Sequence, residues 1–100
     1  MQSGYEIIWS NRAKIDLDQR IQWLIENRSE KQLRNFVHAL DKRINLILIN
    51  PNLFPVSNKR SGIHKSVMKY HITLFYKVDG HKVQILTLYD ARQNPMKGIF

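Results

Sequence analysis

Residues 70–89 read YHITLFYKVDGHKVQILTLY and decide the fold. Two runs rich in β-branched and aromatic residues flank Asp79-Gly80, a dipeptide typical of two-residue hairpin turns because both residues tolerate positive φ. We therefore predict one strand over 70–78 and a partner strand over 82–89. Alternation along the first strand places one set of side chains on a common face, namely Tyr70, Ile72, Leu74, Tyr76 and Val78.

The two strands differ in how polar residues are distributed. The second face of the first strand carries His71, Thr73, Phe75 and Lys77. Apolar residues occur on both faces of the strand over 82–89, which predicts a strand covered on both sides. A further strand is predicted just upstream, at Ile63–Val67.

Upstream of these strands the pattern changes to a helical one. A short strand-like run, 5–9, is followed by Ser10, a favourable N-cap for a helix over 11–27. Ser29 and Gln32 form a capping box that begins a second helix, 30–49, and the proline of Asn50-Pro51 ends it. Apolar residues recur every three or four positions in both segments, so each helix is amphipathic. Residues 51–61 are predicted to be a loop, and 90–100 a short tail.

The predicted order of elements is therefore β-α-α-β-β-β, in a single domain over 1–100. This is an α/β chain of the α+β kind, in which a helical hairpin packs on one face of a small, mainly antiparallel sheet. Short connections favour an antiparallel hairpin of the two helices. The opposite face of the sheet is left to hold a site.

The charge of the chain is concentrated in its C-terminal half. Residues 56–100 hold eight Lys or Arg and two Asp or Glu, a net charge of +6, whereas residues 1–55 hold eight and six, a net charge of +2. A basic surface either binds an acidic partner, nucleic acid or protein, or serves only solubility. The sequence has no cysteine, no apolar run long enough to span a membrane and no signal-peptide pattern, so we expect a cytoplasmic protein with no membrane partner.

Several short motifs occur in a fixed order along the chain. They are Trp9-Ser10 before the two helices, Asn50-Pro51, Phe54-Pro55, Gly62-Ile63 before a basic strand, residues 74–80 (LFYKVDG) and residues 90–95 (DARQNP). No single motif is specific. The ordered set, which spans nearly the whole chain, resembles the RelE/ParE superfamily of toxins from type II toxin–antitoxin systems.

The resemblance implies a basic toxin that inhibits growth and is neutralised by a cognate antitoxin, whose acidic segment wraps it. RelE-like members cut messenger RNA on the ribosome, and ParE-like members poison DNA gyrase. We favour the ParE-like function, which would make the chain a non-enzyme. The alternatives are a ribosome-dependent mRNA endoribonuclease and a non-toxic or decayed binding module.

The preference depends on the residues that RNA cleavage requires, which are a general base, a general acid and cations for the phosphate. The resemblance implies strand lysines, a central-strand arginine, a C-terminal arginine and a tail tyrosine. Lys65 stands near the first position and Arg92 matches the third. The central arginine is replaced by Thr73, and the tail offers Phe100, which cannot exchange a proton.

Two other residues are candidates for proton transfer. Histidine suits acid–base chemistry at neutral pH, and we predict that His71 shares a face with Thr73. The alternative for His71 is a partly exposed sheet residue without a catalytic role. Tyr89 lies in the C-terminal region where related nucleases use histidine, and its phenol is a possible proton carrier. Phe75 and Tyr89 are the aromatic residues that we consider for base stacking.

Basic residues supply the candidate binding groups. Arg92 presents a planar guanidinium suited to phosphate or carboxylate, and its alternative role is a structural ion pair with Asp90. The remaining cations lie around the first hairpin, as a dock for phosphate or an acidic antitoxin or as a charged edge that prevents aggregation, and are Lys59, Arg60, Lys65 and Lys69. No set of residues has metal-ligand spacing, and we expect no cofactor.

Overall fold

The computed structural model describes residues 4–58, 61–69 and 71–90 and has two helices on one face of a five-stranded sheet. The elements in chain order are β1 (Glu6–Trp9), α1 (Asn11–Asn27), α2 (Glu30–Ile49), β2 (Val56–Asn58), β3 (Ile63–Val67), β4 (Ile72–Asp79) and β5 (Lys82–Asp90). The strand order is β1-β5-β4-β3-β2. β1 runs parallel to β5, and the other pairs are antiparallel. The predicted architecture is confirmed, with one strand added.

Both helices begin where serine caps predict. The backbone N–H of Ala13 donates to Ser10 Oγ at 3.0 Å, and that of Gln32 donates to Ser29 Oγ at 3.2 Å. Each bond satisfies an N–H that has no partner within its helix. Ser10 Oγ also donates to the carbonyl of Leu86, at 2.8 Å. This second bond fixes the start of α1 against β5.

The added strand is β2, which lies inside the segment predicted to be a loop. Val56 pairs with His64 and Asn58 with Ile63, with a register shift between the two pairs. The prediction of a continuous loop over 51–61 was wrong. A strand of three residues is too short to show alternation, so pairing with β3 rather than local sequence determines it.

The predicted cover on both sides of β5 holds for its second half, where Thr87, Leu88 and Asp90 are buried, whereas Lys82 and Gln84 in its first half are exposed. Tyr76 pairs with Ile85 and Phe75 with Thr87, so Leu86 is an extra residue, a β-bulge. The bulge moves the side-chain alternation by one position. Val83 and Ile85 before it, and Leu88 after it, therefore all contribute to the core under the helices.

The turn between β4 and β5 lies one residue later than predicted. Asp79 pairs with Lys82, which leaves Gly80 and His81 as the turn residues. Gly80 has φ +61°. Glycine with positive φ at the first central position is the pattern of a type II′ hairpin turn, and a side chain there would be strained.

The core lies between the helices and the sheet. It contains the fully buried side chains of Phe36 and Ile47 from α2 and of Leu74, Tyr76 and Ile85 from the sheet. Two apolar residues that fit the periodic pattern of the helices lie largely outside the core: Ile25 is 57% exposed and Val37 is 45% exposed. None of the described helices is long and apolar enough to cross a membrane.

Candidate functional site

The sheet has one face that the helices do not cover, which we call the open face. Alternation and strand register define it, because Leu74 and Tyr76 point to the helices and their neighbours point away. Its side chains in the three central strands include Lys65, Val67, Thr73, Phe75, Lys77, Gln84 and Tyr89. This is the face that we expected to hold a site.

The open face holds three of the candidate residues, Lys65, Phe75 and Tyr89. Lys65 on β3 pairs with Phe75 on β4, and Thr73 on β4 pairs with Tyr89 on β5. Lys65 is exposed and Tyr89 half-buried. β3 and β5 are two strand spacings apart, so the backbones of Lys65 and Tyr89 are separated by about 10 Å or more. Phe75, which lies between them, is only 5% exposed, so Lys65 is the exposed group of the three.

Thr73 lies on the central strand of the sheet, β4, close to the start of that strand. It lies between Val67 and Tyr89 in register and is 8% exposed. The resemblance places the central arginine of a nuclease at this position. A threonine hydroxyl carries no charge, so it cannot neutralise the charge that builds on phosphate during cleavage.

His71 does not share the open face, and the prediction that it lies beside Thr73 on a strand was wrong. β4 begins at Ile72, and His71 is the last residue of the β3–β4 turn, with φ +61°. The N–H of Met68 donates to the carbonyl of Ile72 at 2.9 Å and closes this turn. A left-handed residue before the returning strand is a common feature of three-residue hairpin loops. Histidine tolerates that conformation better than most side chains, which explains why the alternating pattern was misleading.

We expect His71→Gly to keep full toxicity and to leave the free energy of unfolding unchanged or raise it by up to about 1 kcal/mol, because glycine adopts positive φ without steric cost. His71→Val should lower it by about 1–2 kcal/mol, since a β-branched residue fits that conformation poorly. Urea unfolding and growth assays of the two variants make the measurement. Lost toxicity in a folded His71→Gly variant would return this histidine to the list of catalytic candidates.

His64 is held in a structural cluster on the helix side of the sheet. Its Nδ1 donates to the carbonyl of Phe54 at 2.8 Å, and its ring stacks on that of Tyr76 at 4.9 Å between centroids. The hydroxyl of Tyr76 donates to the carbonyl of Pro51 at 2.5 Å. These bonds attach the segment after α2 to β3 and β4. His64 is 8% exposed and therefore not placed to meet a substrate.

Alkaline pH should destabilise the protein through Tyr76. Burial raises the pKa of Tyr76 from 10.0 to about 12, because the charged phenolate is poorly solvated there. As the pH rises, the unfolded chain therefore loses this proton before the folded chain does. The stabilisation that comes from this difference is complete below pH 10 and falls by about 2 kcal/mol as the pH rises toward 12. Tyr76→Phe should cost about 1–3 kcal/mol at neutral pH by leaving the Pro51 carbonyl without its partner. Urea unfolding across this pH range should show a smaller decline for Tyr76→Phe than for the unaltered chain, and equal declines would contradict the assignment.

Two polar groups of α1 bind β5, and the sequence reading missed both. Arg20 forms an ion pair with Asp90, and both side chains are buried. Asp16 accepts a hydrogen bond from the Thr87 hydroxyl and another, at 3.2 Å, from the Leu88 N–H. A charged residue of an amphipathic helix is expected on its polar side, yet the side chain of Asp16 is only 11% exposed. Asp16 and Arg20 are four residues apart and so lie on the same face of α1, which is the signal that sequence reading could have used.

The remaining cationic candidates are only partly described. Arg92, Lys59 and Arg60 lie outside the described residues. Lys69 is exposed in the β3–β4 turn, four residues after Lys65 along the chain. Among the residues that the structure describes, no three His, Asp or Glu side chains are grouped closely enough to hold a metal ion.

Comparisons with known proteins agree with this architecture. Residues 7–95 match the family described as ParE toxin of type II toxin–antitoxin system, parDE. A chain of the chromosomal ParDE system from P. aeruginosa superposes with a TM-score of 0.72 and 15% identity, over 86% of this chain and 95% of that one. A chain of the E. coli DinJ–YafQ toxin–antitoxin complex superposes with a TM-score of 0.56 and 14% identity, over 93% and 99%. At these identities the two structures show a shared fold. No curated protein matches the sequence.

Proposed function

Because the chain belongs to the ParE toxin family of type II toxin–antitoxin systems, we propose that it arrests bacterial growth by acting on DNA gyrase. The observation that carries the proposal is the family match over residues 7–95, which includes both helices and all of the described sheet except Glu6. Within the wider superfamily, gyrase is the target associated with ParE-like members. Gyrase acts on DNA in the cytoplasm, so we propose that this toxin is also cytoplasmic.

The chemistry of the open face supports a binding surface over a nuclease site. Its described residues include Lys65 and Tyr89 but no histidine, because His64 and His71 lie elsewhere. Thr73, at the position of the central-strand arginine, supplies no cation. A ribosome-dependent nuclease needs proton donors and acceptors within reach of one ribose, together with charge for the phosphate. Contact with a protein surface needs only shape and complementary charge.

The partner that neutralises the toxin is an antitoxin. Both structural neighbours come from toxin–antitoxin systems, and the DinJ–YafQ chain is described as part of a complex. The net charge of this chain is +8, which favours a partner whose binding segment is acidic. We propose that such a segment folds on the toxin surface and covers the groups that engage the target.

Growth and supercoiling measurements test the proposal together. Induction of this chain in a bacterium should stop growth, and the product of the adjacent antitoxin gene should restore it. Purified toxin should inhibit supercoiling by gyrase, and primer extension on messenger RNA should show no new codon-positioned cuts. Cuts within minutes of induction, with gyrase unaffected, would establish the nuclease alternative. Normal growth at good expression would identify a non-toxic binding module instead.

A further inference from the structure

A hollow of about 330 Å³ opens where the turn between the helices meets the turn between β3 and β4. Trp23 and Leu24 line it from α1, and Gln32 and Phe36 from α2. Its volume is at the lower limit for ligand pockets, so it fits one large side chain or two smaller ones rather than a cofactor. It lies on the helix side of the sheet and does not include Lys65 or Tyr89.

The floor of the hollow is apolar. Leu24 is 7% exposed and Phe36 1% exposed, and both belong to the core. The half-buried ring of Trp23 forms one wall. An apolar side chain placed over this floor would lose contact with water and gain contact with three large residues, which favours binding.

The rim of the hollow carries an exposed cation, Arg28. Arg28, an exposed residue at the end of α1, holds its guanidinium carbon 4.8 Å from the centroid of the Trp23 ring. His71 lies on the opposite element and is also exposed. The second arginine in the lining, Arg20, is ion-paired with Asp90. No carboxylate is among the described residues that line the hollow, so the field at its mouth favours an anion.

The combination fits an acidic peptide better than a nucleic acid. Nucleic acid presents a series of phosphate charges, and the protein surfaces that bind it carry several cations to neutralise them. Here Arg28 is the exposed arginine at the mouth, and it stands above a recess deep enough for a hydrophobic side chain. An apolar anchor beside a carboxylate matches both features at once.

We infer that the hollow anchors the antitoxin: an apolar side chain of its acidic segment fills the space over Leu24 and Phe36, and a neighbouring carboxylate pairs with Arg28. The inference rests on the proposed neutralisation by an antitoxin and adds the place of attachment. It is independent of the toxin's target, because the open face is on the other side of the sheet.

Charge reversal at the rim tests the anchor in cells. Arg28→Glu should remain toxic but need about 10- to 100-fold more antitoxin for rescue, because a charge-assisted pair becomes a repulsion. Lys42→Glu, which makes the same charge change at an exposed position in the middle of α2, should be rescued like the unaltered chain. Equal rescue of Arg28→Glu and Lys42→Glu would overturn the inference while leaving the toxin function intact.

A second variant fills the hollow without removing a charge. Gln32 is exposed, and its backbone N–H, not its side chain, bonds to Ser29, so Gln32→Trp should preserve the helix cap. The bulky ring should occupy the space meant for the anchor and weaken antitoxin binding by at least 10-fold in a titration of purified proteins. Circular dichroism should show an unchanged fold. Unweakened binding by folded Gln32→Trp would mean that the antitoxin does not enter the hollow.

Fluorine NMR observes the hollow directly and does not depend on toxicity. The chain has two tryptophans, so Trp9→Phe leaves Trp23 as the only site for fluorotryptophan. Addition of the unlabelled antitoxin, the product of the adjacent gene, should shift the Trp23 resonance and protect it from a soluble paramagnetic agent. An unprotected resonance in the formed complex would exclude the anchor. Protection by an oligo(U) RNA at physiological salt, but not by the antitoxin, would instead make the hollow a nucleic-acid site.

Discussion

Replacing Asp90 with asparagine should lower the free energy of unfolding by about 3–5 kcal/mol, the largest effect on stability that we expect from a single substitution in this chain. The side chains of Arg20 and Asp90 are 7% and 6% exposed, and they form an ion pair between α1 and the end of β5. Loss of the carboxylate charge leaves the guanidinium buried without its counter-ion. Small domains have about 5–15 kcal/mol of stability in total, so the variant should unfold at a far lower urea concentration.

An exposed ion pair provides the matched control. Arg34 and Glu30 on α2 are 71% and 82% exposed, and Arg34→Ala should cost less than about 1 kcal/mol. A double variant, Arg20→Met with Asp90→Leu, removes both charges and should recover most of the stability lost by Asp90→Asn, because no charge remains buried. A cost for Asp90→Asn no greater than that for Arg34→Ala would show that the pair contributes little.

The elements that could be predicted from the sequence are those whose signals are local. Ser10 and Ser29 mark the helix starts through side-chain bonds to N–H groups three residues ahead, and both bonds are present. Each helix is long enough for its apolar period to repeat several times. β3 was also predicted with its observed bounds, because its five residues are enough to show a strand between two turn signals.

The features that sequence reading missed depend on partners distant along the chain. The bulge at Leu86 results from pairing with β4, and without it the apolar residues of β5 seem to lie on both faces. His71 was assigned to a strand because its alternation fits, although the turn closed by Met68 and Ile72 sets its positive φ. Asp16 and Arg20 reach residues more than sixty positions away, a relation that no local window contains.

The candidate site was anticipated in the same uneven way. Lys65, Thr73 and Tyr89 share the open face in the structure, but the bulge at Leu86, not simple alternation, places Tyr89 there. The hollow beside Arg28 was not anticipated, since its walls come from both helices and from the β3–β4 turn. A recess formed by three separate elements becomes visible only when the helices have been placed against the sheet.

The largest effect on activity is expected from Arg92→Ala, which we propose reduces toxicity by about one to two orders of magnitude while the protein stays folded. Arg92 lies outside the described residues, and the proposal rests on the C-terminal arginine of the family and on the chemistry of guanidinium. Loss of charge-assisted contacts to a phosphate or an acidic target surface costs about 1.5–3 kcal/mol. Arg92→Lys should restore only part of the activity, because lysine lacks the planar fork.

The competing explanation is that Arg92 is a structural clasp that pairs with Asp90. Asp90→Asn, which breaks the buried pair between Asp90 and Arg20, provides the urea midpoint with which Arg92→Ala can be compared. A clasp predicts that Arg92→Ala lowers the urea midpoint toward that of Asp90→Asn, with toxicity falling in proportion to the unfolded fraction. If Arg92 instead contacts the target, the urea midpoint of Arg92→Ala should be near that of Arg34→Ala. Its toxicity should then stay reduced although the protein is folded, and higher expression should restore it only in part. Full toxicity in Arg92→Ala would remove this arginine from the site and direct the search to Lys65 and Arg60.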